Sequence, residues 1–307
     1  MAVYAAKRVF QMLVSVWGVV TLVFFLGRVT GDPTSQLVGE GATAEQIAQM
    51  RRELGLDEPI LVQYLSYIRG TLRGDFGESF YEARPAFDVV VEKIPATLDI
   101  AVPAFIIGLV IAFGITILVQ LTGSRKLQTF FLWVALGREA IPVFWFAWLL
   151  ILVFSVWLGW LPALGQGSLA NLVLPVATLA TIQVAVYLRL MASEFRSEYA
   201  SGHIRTAKAM GISRRRILFE HAMPNAVLPV VTLAGINFAV LLSGTVVTET
   251  VFSWPGVGRA MIDAVENSDY AVLQAGVILI STIFVFANFV VDIIVGLLDP
   301  RTRVRHD

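Results

Sequence analysis

An all-α, polytopic membrane protein of six transmembrane helices, with a long loop between the first two, is the fold class this sequence predicts. Composition, six long apolar runs and the placement of lysine and arginine carry that expectation. Hydrophobic residues make up 57% of the 307 and charged residues 15%, with a mean hydropathy of +0.74. That is too much apolar surface for a chain of this length to hide from water. The runs cover residues 9–29, 98–121, 137–158, 172–191, 227–248 and 271–298. A bilayer crossing needs about 20 apolar residues, so each run is predicted to span.

The first run follows Lys7 and Arg8, as the core of a secretory signal would. It exceeds the roughly 7–15 apolar residues of a signal, and no A-x-A site follows before Arg28, so it reads as a retained helix. Pro103, Gly108, Gly114, Pro142, Pro175, Pro229 and Gly235 fall inside the runs. Helix breakers persist in a membrane only where neighbouring helices cover the freed backbone, which predicts a packed bundle.

Basic residues set the orientation, because short cytoplasmic loops retain them. Lys7 and Arg8, then Arg125 and Lys126, seven residues from Arg189 to Arg216, and finally Arg301, Arg303 and Arg305 fall on one side. The opposite short loops hold only Arg259. Both termini and the 194–226 stretch are therefore expected in the cytoplasm.

The 30–96 segment is expected outside, as an insertion within a single transmembrane domain of residues 1–307. Its Thr43-Ala-Glu-Gln46 has the spacing of a capping box, with Ile47, Met50 and Leu54 then repeating along a helix. Pro59 suits the first turn of a second helix, which puts Leu61, Tyr64, Leu65 and Ile68 on one face until Gly70. The GDFGESF string at 74–80 reads as turns. Such a helix pair would lie on the bilayer, cover the bundle or receive a partner.

On the other side, eight breaker-free residues, HIRTAKAM, lie between Gly202 and Gly211 and predict a rod of about 12 Å. Glycines at both ends would permit sharp turns.

Several chemistries are excluded. There is no cysteine, so disulfides and thiolate sites are out, and the three histidines have no metal-binding spacing. None of the four lysines follows a glycine, so no Walker A loop exists to cradle phosphate. No enzymatic motif replaces it.

Polar residues within spans are costly and therefore informative. Asp99, Arg138, Glu139, Asn288 and Asp292 are read chiefly as groups satisfied by local partners. Asn237, Ser243, Thr245, Thr248 and Glu249 make the fifth run polar towards its outer half, and Gln183 stands alone in the fourth. These six are candidates for lining a path, although hydroxyls and small residues also serve helix packing.

Several strings resemble a known family. The stretch Arg205-Thr-Ala-Lys-Ala-Met-Gly211-Ile-Ser, running on to His221-Ala-Met-Pro-Asn-Ala-Val-Leu-Pro229, is similar to the EAA loop of ABC importer permeases. Gly31-Asp-Pro33, Glu53-Leu-Gly-Leu-Asp57 with Gln63-Tyr64, GDFGESF, Pro95-Ala-Thr-Leu98, Glu249-Thr-Val-Phe-Ser-Trp-Pro-Gly256 and Leu298-Asp-Pro-Arg301 extend the likeness along the chain. They resemble the B-type subunit of the dipeptide, oligopeptide and nickel permease group.

The resemblance implies the type I ABC importer permease fold and one half of a peptide channel, in a bacterial inner membrane. It implies no catalysis and no cofactor on this chain, with ATP and Mg held by two ATPase subunits or one fused ATPase. A C-type permease subunit and an extracytoplasmic substrate-binding protein complete the expected assembly. It further implies that Arg205, Thr206, Ala207, Lys208, Ala209 and Gly211 couple to the ATPases. Gly202, His203 and Met210 depart from the family's pattern. Nickel chelates or haem are alternative cargoes. An ion-gradient-driven secondary transporter is the rival class, but no inverted repeat or deep carboxylate supports it.

Overall fold

The computed structural model describes residues 2–29, 43–53 and 55–298, and no strand occurs among them. The helices are α1 (Ala2–Val29), α2 (Ala44–Glu53), α3 (Ile60–Leu72), α4 (Ala86–Val91), α5 (Ile94–Thr122), α6 (Arg125–Ala140) and α7 (Val143–Trp157). There follow α8 (Leu169–Tyr199), α9 (Gly202–Ala209), α10 (Arg214–Ala226), α11 (Leu228–Val251), α12 (Val257–Glu266) and α13 (Tyr270–Leu298).

Four continuous stretches are long and apolar enough to cross a membrane: α1, α4 with α5, α8 and α13. Two bent pairs raise the number to six, α6–α7 with a 105° bend and α10–α11 with one of 48°. The all-α, multi-span expectation holds. The third expected span, residues 137–158, does not run straight: it straddles the sharper bend. Pro142 has no amide hydrogen and pushes Ile141 out of helical conformation, to φ −90° and ψ 123°. Arg138 secures the break. It is buried, donates to the carbonyls of Ile141 (3.1 Å) and Thr178 (3.1 Å) and to Thr181 Oγ1 (2.9 Å), and its guanidinium lies 3.9 Å from the Phe146 ring centroid. Its neighbour Glu139 pairs with Arg189 at 2.8 Å. Both are satisfied locally, as expected. α7 ends in a π-helical stretch, Ile151–Trp157.

Helices α5 and α8 form the central crossing. Ala101, Ala104 and Ala112 keep the α5 surface flat, and Gly108 admits α8 so closely that a Cβ there would sit 2.6 Å from Gln183 Cβ. Small residues at the seam replace the hydrophobic driving force that lipid removes. Gly235 does the same for α11 against α13, where a Cβ would lie 2.2 Å from Val291 Cγ1. The outer surface is apolar, with Phe10, Leu13, Trp17, Val110, Phe130 and Trp133 exposed, as hydrocarbon-facing positions must be.

The α2–α3 pair forms as expected. Gln46 N donates to Thr43 Oγ1 (3.3 Å) and Thr43 N to Gln46 Oε1 (2.9 Å), which completes the capping box. Pro59 precedes α3 as its cap, and the helix runs two residues beyond Gly70. The expected apolar face is split. Tyr64 and Ile68 pack on α1, with the Tyr64 hydroxyl 2.6 Å from Thr21 Oγ1, while Leu61 and Leu65 stay exposed. The GDFGESF string is a turn segment, as expected. Its Ser79 donates to Asp269 Oδ2 at 2.6 Å, and Asp269 Oδ1 accepts Val272 N at the start of α13. Gly31-Asp-Pro33, Leu54, the tail beyond Leu298 and the side chain of Asp292 lie outside the described residues.

Candidate functional site

α9 is a short amphipathic rod. Ile204 (0% exposed) and Ala207 (2%) seat it against Phe195 of α8 and Ile217 and Leu218 of α10. Arg205, Thr206, Lys208, Ala209 and Met210 face outward. The expected coupling residues therefore divide, with Ala207 in the seat and the others on the face. Gly211 ends the rod. At φ +75° it lets Gly211 N reach Lys208 O (3.0 Å) and Ile212 N reach Ala207 O (3.2 Å), closing a Schellman turn that satisfies the last carbonyls. No atom lies within 4 Å of a Cβ built there, so the constraint is conformational rather than steric.

The expectation of two glycine hinges is corrected at the other end. Gly202 is the first helical residue rather than a turn, and Ser201 precedes it in extended conformation. The rod is thus 202–209, and the span before it reaches Tyr199, deep into the expected 194–226 loop. Much of the remainder, Arg214–Ala226, is also helical. His203 has a defined place: its Nε2 lies 2.8 Å from Glu198 Oε1 and its Nδ1 3.1 Å from Ser201 Oγ. Asn225 Nδ2 donates to the same carboxylate oxygen at 2.9 Å, so the rod, α8 and α10 share one polar clasp.

At the far end of the bundle, Glu249 is fully buried. Its Oε1 accepts from Thr97 Oγ1 (2.8 Å) and its Oε2 from Arg259 N (3.0 Å) at the first turn of α12. Thr97 Oγ1 also accepts Val257 N (2.9 Å), and Trp254 Nε1 donates to Ala96 O (2.7 Å). A carboxylate at a helix N-terminus meets free amides and the positive end of the helix dipole. Gly256 and Gly258 leave it room, since a Cβ on Gly256 would stand 2.3 Å from Glu249 Cδ. Glu249 thus fastens α5, α11 and α12 together. Thr97 and Trp254 were not singled out from the sequence, although both stand within strings that carried the resemblance.

The other candidates for a path do not converge on one open surface. Gln183, Thr245 and Thr248 are buried within the chain. Thr245 Oγ1 donates to Leu242 O at 3.1 Å within its own helix, and Thr248 Oγ1 has no partner. Asn237 is half-buried, and its Nδ2 makes no hydrogen bond. The buried hydroxyl of Tyr187, one turn beyond Gln183 on α8, faces this amide. The side chain of Ser243 lies outside the described residues. No cluster able to hold a metal occurs among the described residues.

A multi-span helical bundle with a short amphipathic rod seated against α8 and α10 has the architecture of a polytopic membrane protein. The match to known sequences is specific: residues 123–304 fit the binding-protein-dependent transport system inner membrane component family, and residues 1–101 its N-terminal companion. The chain belongs to this family, the permease subunits of ABC importers. It is 35% identical over 303 residues to the glutathione transport system permease protein GsiC of Escherichia coli K12, covering 98% of this chain and 99% of that one. GsiC of Salmonella typhimurium LT2 is equally similar, at 35% over 303 residues. A solved amino acid ABC transporter with histidines shares the fold, with a TM-score of 0.53 at 17% identity over 70% of this chain and 94% of that one.

Proposed function

We propose that this chain forms one half of the translocation channel of an ATP-driven importer for short peptides, glutathione included. The observation that carries the cargo class is the 35% identity to GsiC along 98% of the chain. A homologous C-type permease supplies the other half, two ATPase subunits (or one fused ATPase) hold ATP and Mg, and an extracytoplasmic binding protein delivers the cargo. The distribution of lysine and arginine supports cytoplasmic termini and a cytoplasmic α9.

In this reading the exposed Arg205, Thr206, Lys208 and Ala209 of α9 seat in an ATPase groove. ATP-driven closure moves the rod, and the rod tilts α8 and α11, to which it is joined through the Glu198 clasp and α10. Alternating access follows from that rigid-body tilt. Asn237, Gln183, Ser243, Thr245 and Thr248 supply the polar groups that α8 and α11 bring to the path as they part. Glu249 keeps the outer end of α11 fixed to α5.

The test is reconstitution of the two permease and two ATPase subunits in liposomes, with the binding protein and labelled glutathione or a dipeptide added. Uptake is expected to require ATP on the ATPase side and to ignore a proton ionophore. Ion-gradient-driven uptake by this chain alone would overturn the reading.

A further inference from the structure

α3 lies deeper than a loop joining two spans would. Tyr67 and Ile68 on its inner side pack against Val20 and Val23 of α1 and Ile278 of α13. The spanning stretch of α1 ends at Gly27 and that of α13 starts at Tyr270. The two ends are level, since a Cβ on Gly27 would stand 2.5 Å from Gln274 Nε2. At 1.5 Å per residue, Val23 and Val20 sit about 6–10 Å inside the first end, and Ile278 about 12 Å inside the second. Tyr64 reaches a similar depth, with its hydroxyl 2.6 Å from Thr21 Oγ1. Two separate spans thus set α3 at the depth of a bilayer boundary rather than above it.

The free side of α3 is sorted to match. With 3.6 residues per turn, Leu61, Leu65 and Leu72 fall within about 40° of one another, beside the packed face. They are 65%, 57% and 82% exposed, so the chain itself does not cover them. Ser66, Arg69 and Arg73, also exposed, stand about 80–140° further round from Leu61. The leucine arc adjoins the exposed surface of α1, where the Phe25 ring stacks on Tyr64 with centroids 6.4 Å apart and Leu22 faces outward. An apolar arc that continues a hydrocarbon-facing surface and is bordered by two cations has the sidedness of a helix at a bilayer boundary. Its leucines suit acyl chains and its guanidinium groups suit headgroup phosphates.

We propose that α3 is an interfacial membrane helix. Leu61, Leu65 and Leu72 enter the acyl layer of the leaflet on the side away from α9, and Arg69 and Arg73 extend to its phosphates. The helix thereby pins the contact between α1 and α13 at one depth in the bilayer.

The chain contains no cysteine, so single substitutions can carry a nitroxide label. The full chain is reconstituted in vesicles of phosphatidylethanolamine and phosphatidylglycerol. Collisions of the label with oxygen, which concentrates in the acyl layer, are compared with those of a water-soluble nickel chelate. Leu22→Cys on α1 is the lipid reference and Glu266→Cys at the end of α12 the water reference, both positions being exposed. Labels at Leu61→Cys, Leu65→Cys and Leu72→Cys are expected to match Leu22→Cys, with an oxygen-to-nickel ratio severalfold above that of Glu266→Cys. Ser66→Cys, on the cationic side, should fall between the two references. Ratios at 61, 65 and 72 as low as at Glu266→Cys would place α3 in water and overturn the proposal. So would loss of both kinds of collision when the partner permease is assembled, since a protein would then occupy the face. Reading three positions keeps one perturbed variant from deciding the result. No step needs ATP or cargo, so the outcome is separate from that of the transport experiment.

Discussion

Glu249 places its carboxyl group where water has no access, and its neighbours explain how. Thr97 donates one hydrogen bond and the α12 backbone a second, while Gly256 and Gly258 give up their side chains to make space. Removing either polar partner leaves a buried group unsatisfied, which costs about 1–3 kcal/mol. Thr97→Val and Glu249→Gln should each lower the thermal midpoint in detergent, and their combination should fall short of the sum of the two, because they break one network. Arg138 makes a second residue-scale case. It reaches three acceptors through Nε, Nη1 and Nη2, a fork that lysine cannot reproduce. Arg138→Lys should therefore destabilise nearly as much as Arg138→Ala, by about 1–3 kcal/mol, measured by the same midpoint. Residues of this kind were half legible in the sequence. Arg138 and Glu139 read correctly as locally satisfied groups because an unpaired charge in a span is untenable. Glu249 read equally well as path or packing, since only the fold brings residue 97 to residue 249.

At the scale of elements, α9 was legible because two glycines frame it, yet the two differ in kind. Gly211 takes φ +75°, whereas Gly202 is an ordinary helical residue. A β-branched side chain in the left-handed region is strained by roughly 1–2 kcal/mol. Gly211→Val is expected to displace the rod and reduce uptake roughly tenfold while ATP hydrolysis continues, and Gly211→Asn should retain most of the coupling. Gly202→Ala should leave both activities intact, since no atom crowds that position. The break between α6 and α7 was not foreseen. Residues 137–158 form an almost unbroken apolar run, and an apolar run shows length without direction. Pro142 was visible but tolerable in a spanning helix, and the acceptors that Arg138 satisfies from α8 could not be read from the run itself.

For the whole molecule, four of the strings that carried the family resemblance prove to be joints. Pro95-Ala-Thr-Leu98 meets the stretch from Glu249 to Gly256, GDFGESF ties to Asp269, and the loop around α9 clasps α8 to α10 through Glu198. The bundle is thereby fixed at one end and carries the short exposed rod α9 at the other, the arrangement a lever requires. That lever is the central claim, and the chain's lack of cysteine makes it directly testable. In the assembled transporter, Thr206→Cys, Ala207→Cys and Arg84→Cys are each paired with a single cysteine in the ATPase groove and cross-linked. Thr206 is exposed on the rod, Ala207 is buried beneath it, and Arg84 lies in the 30–96 segment at the end of the bundle away from the rod. Capture of the ATPase at position 206, with little at 207 and none at 84, is the predicted result. No capture at 206 in an assembly that still imports its cargo would contradict the account.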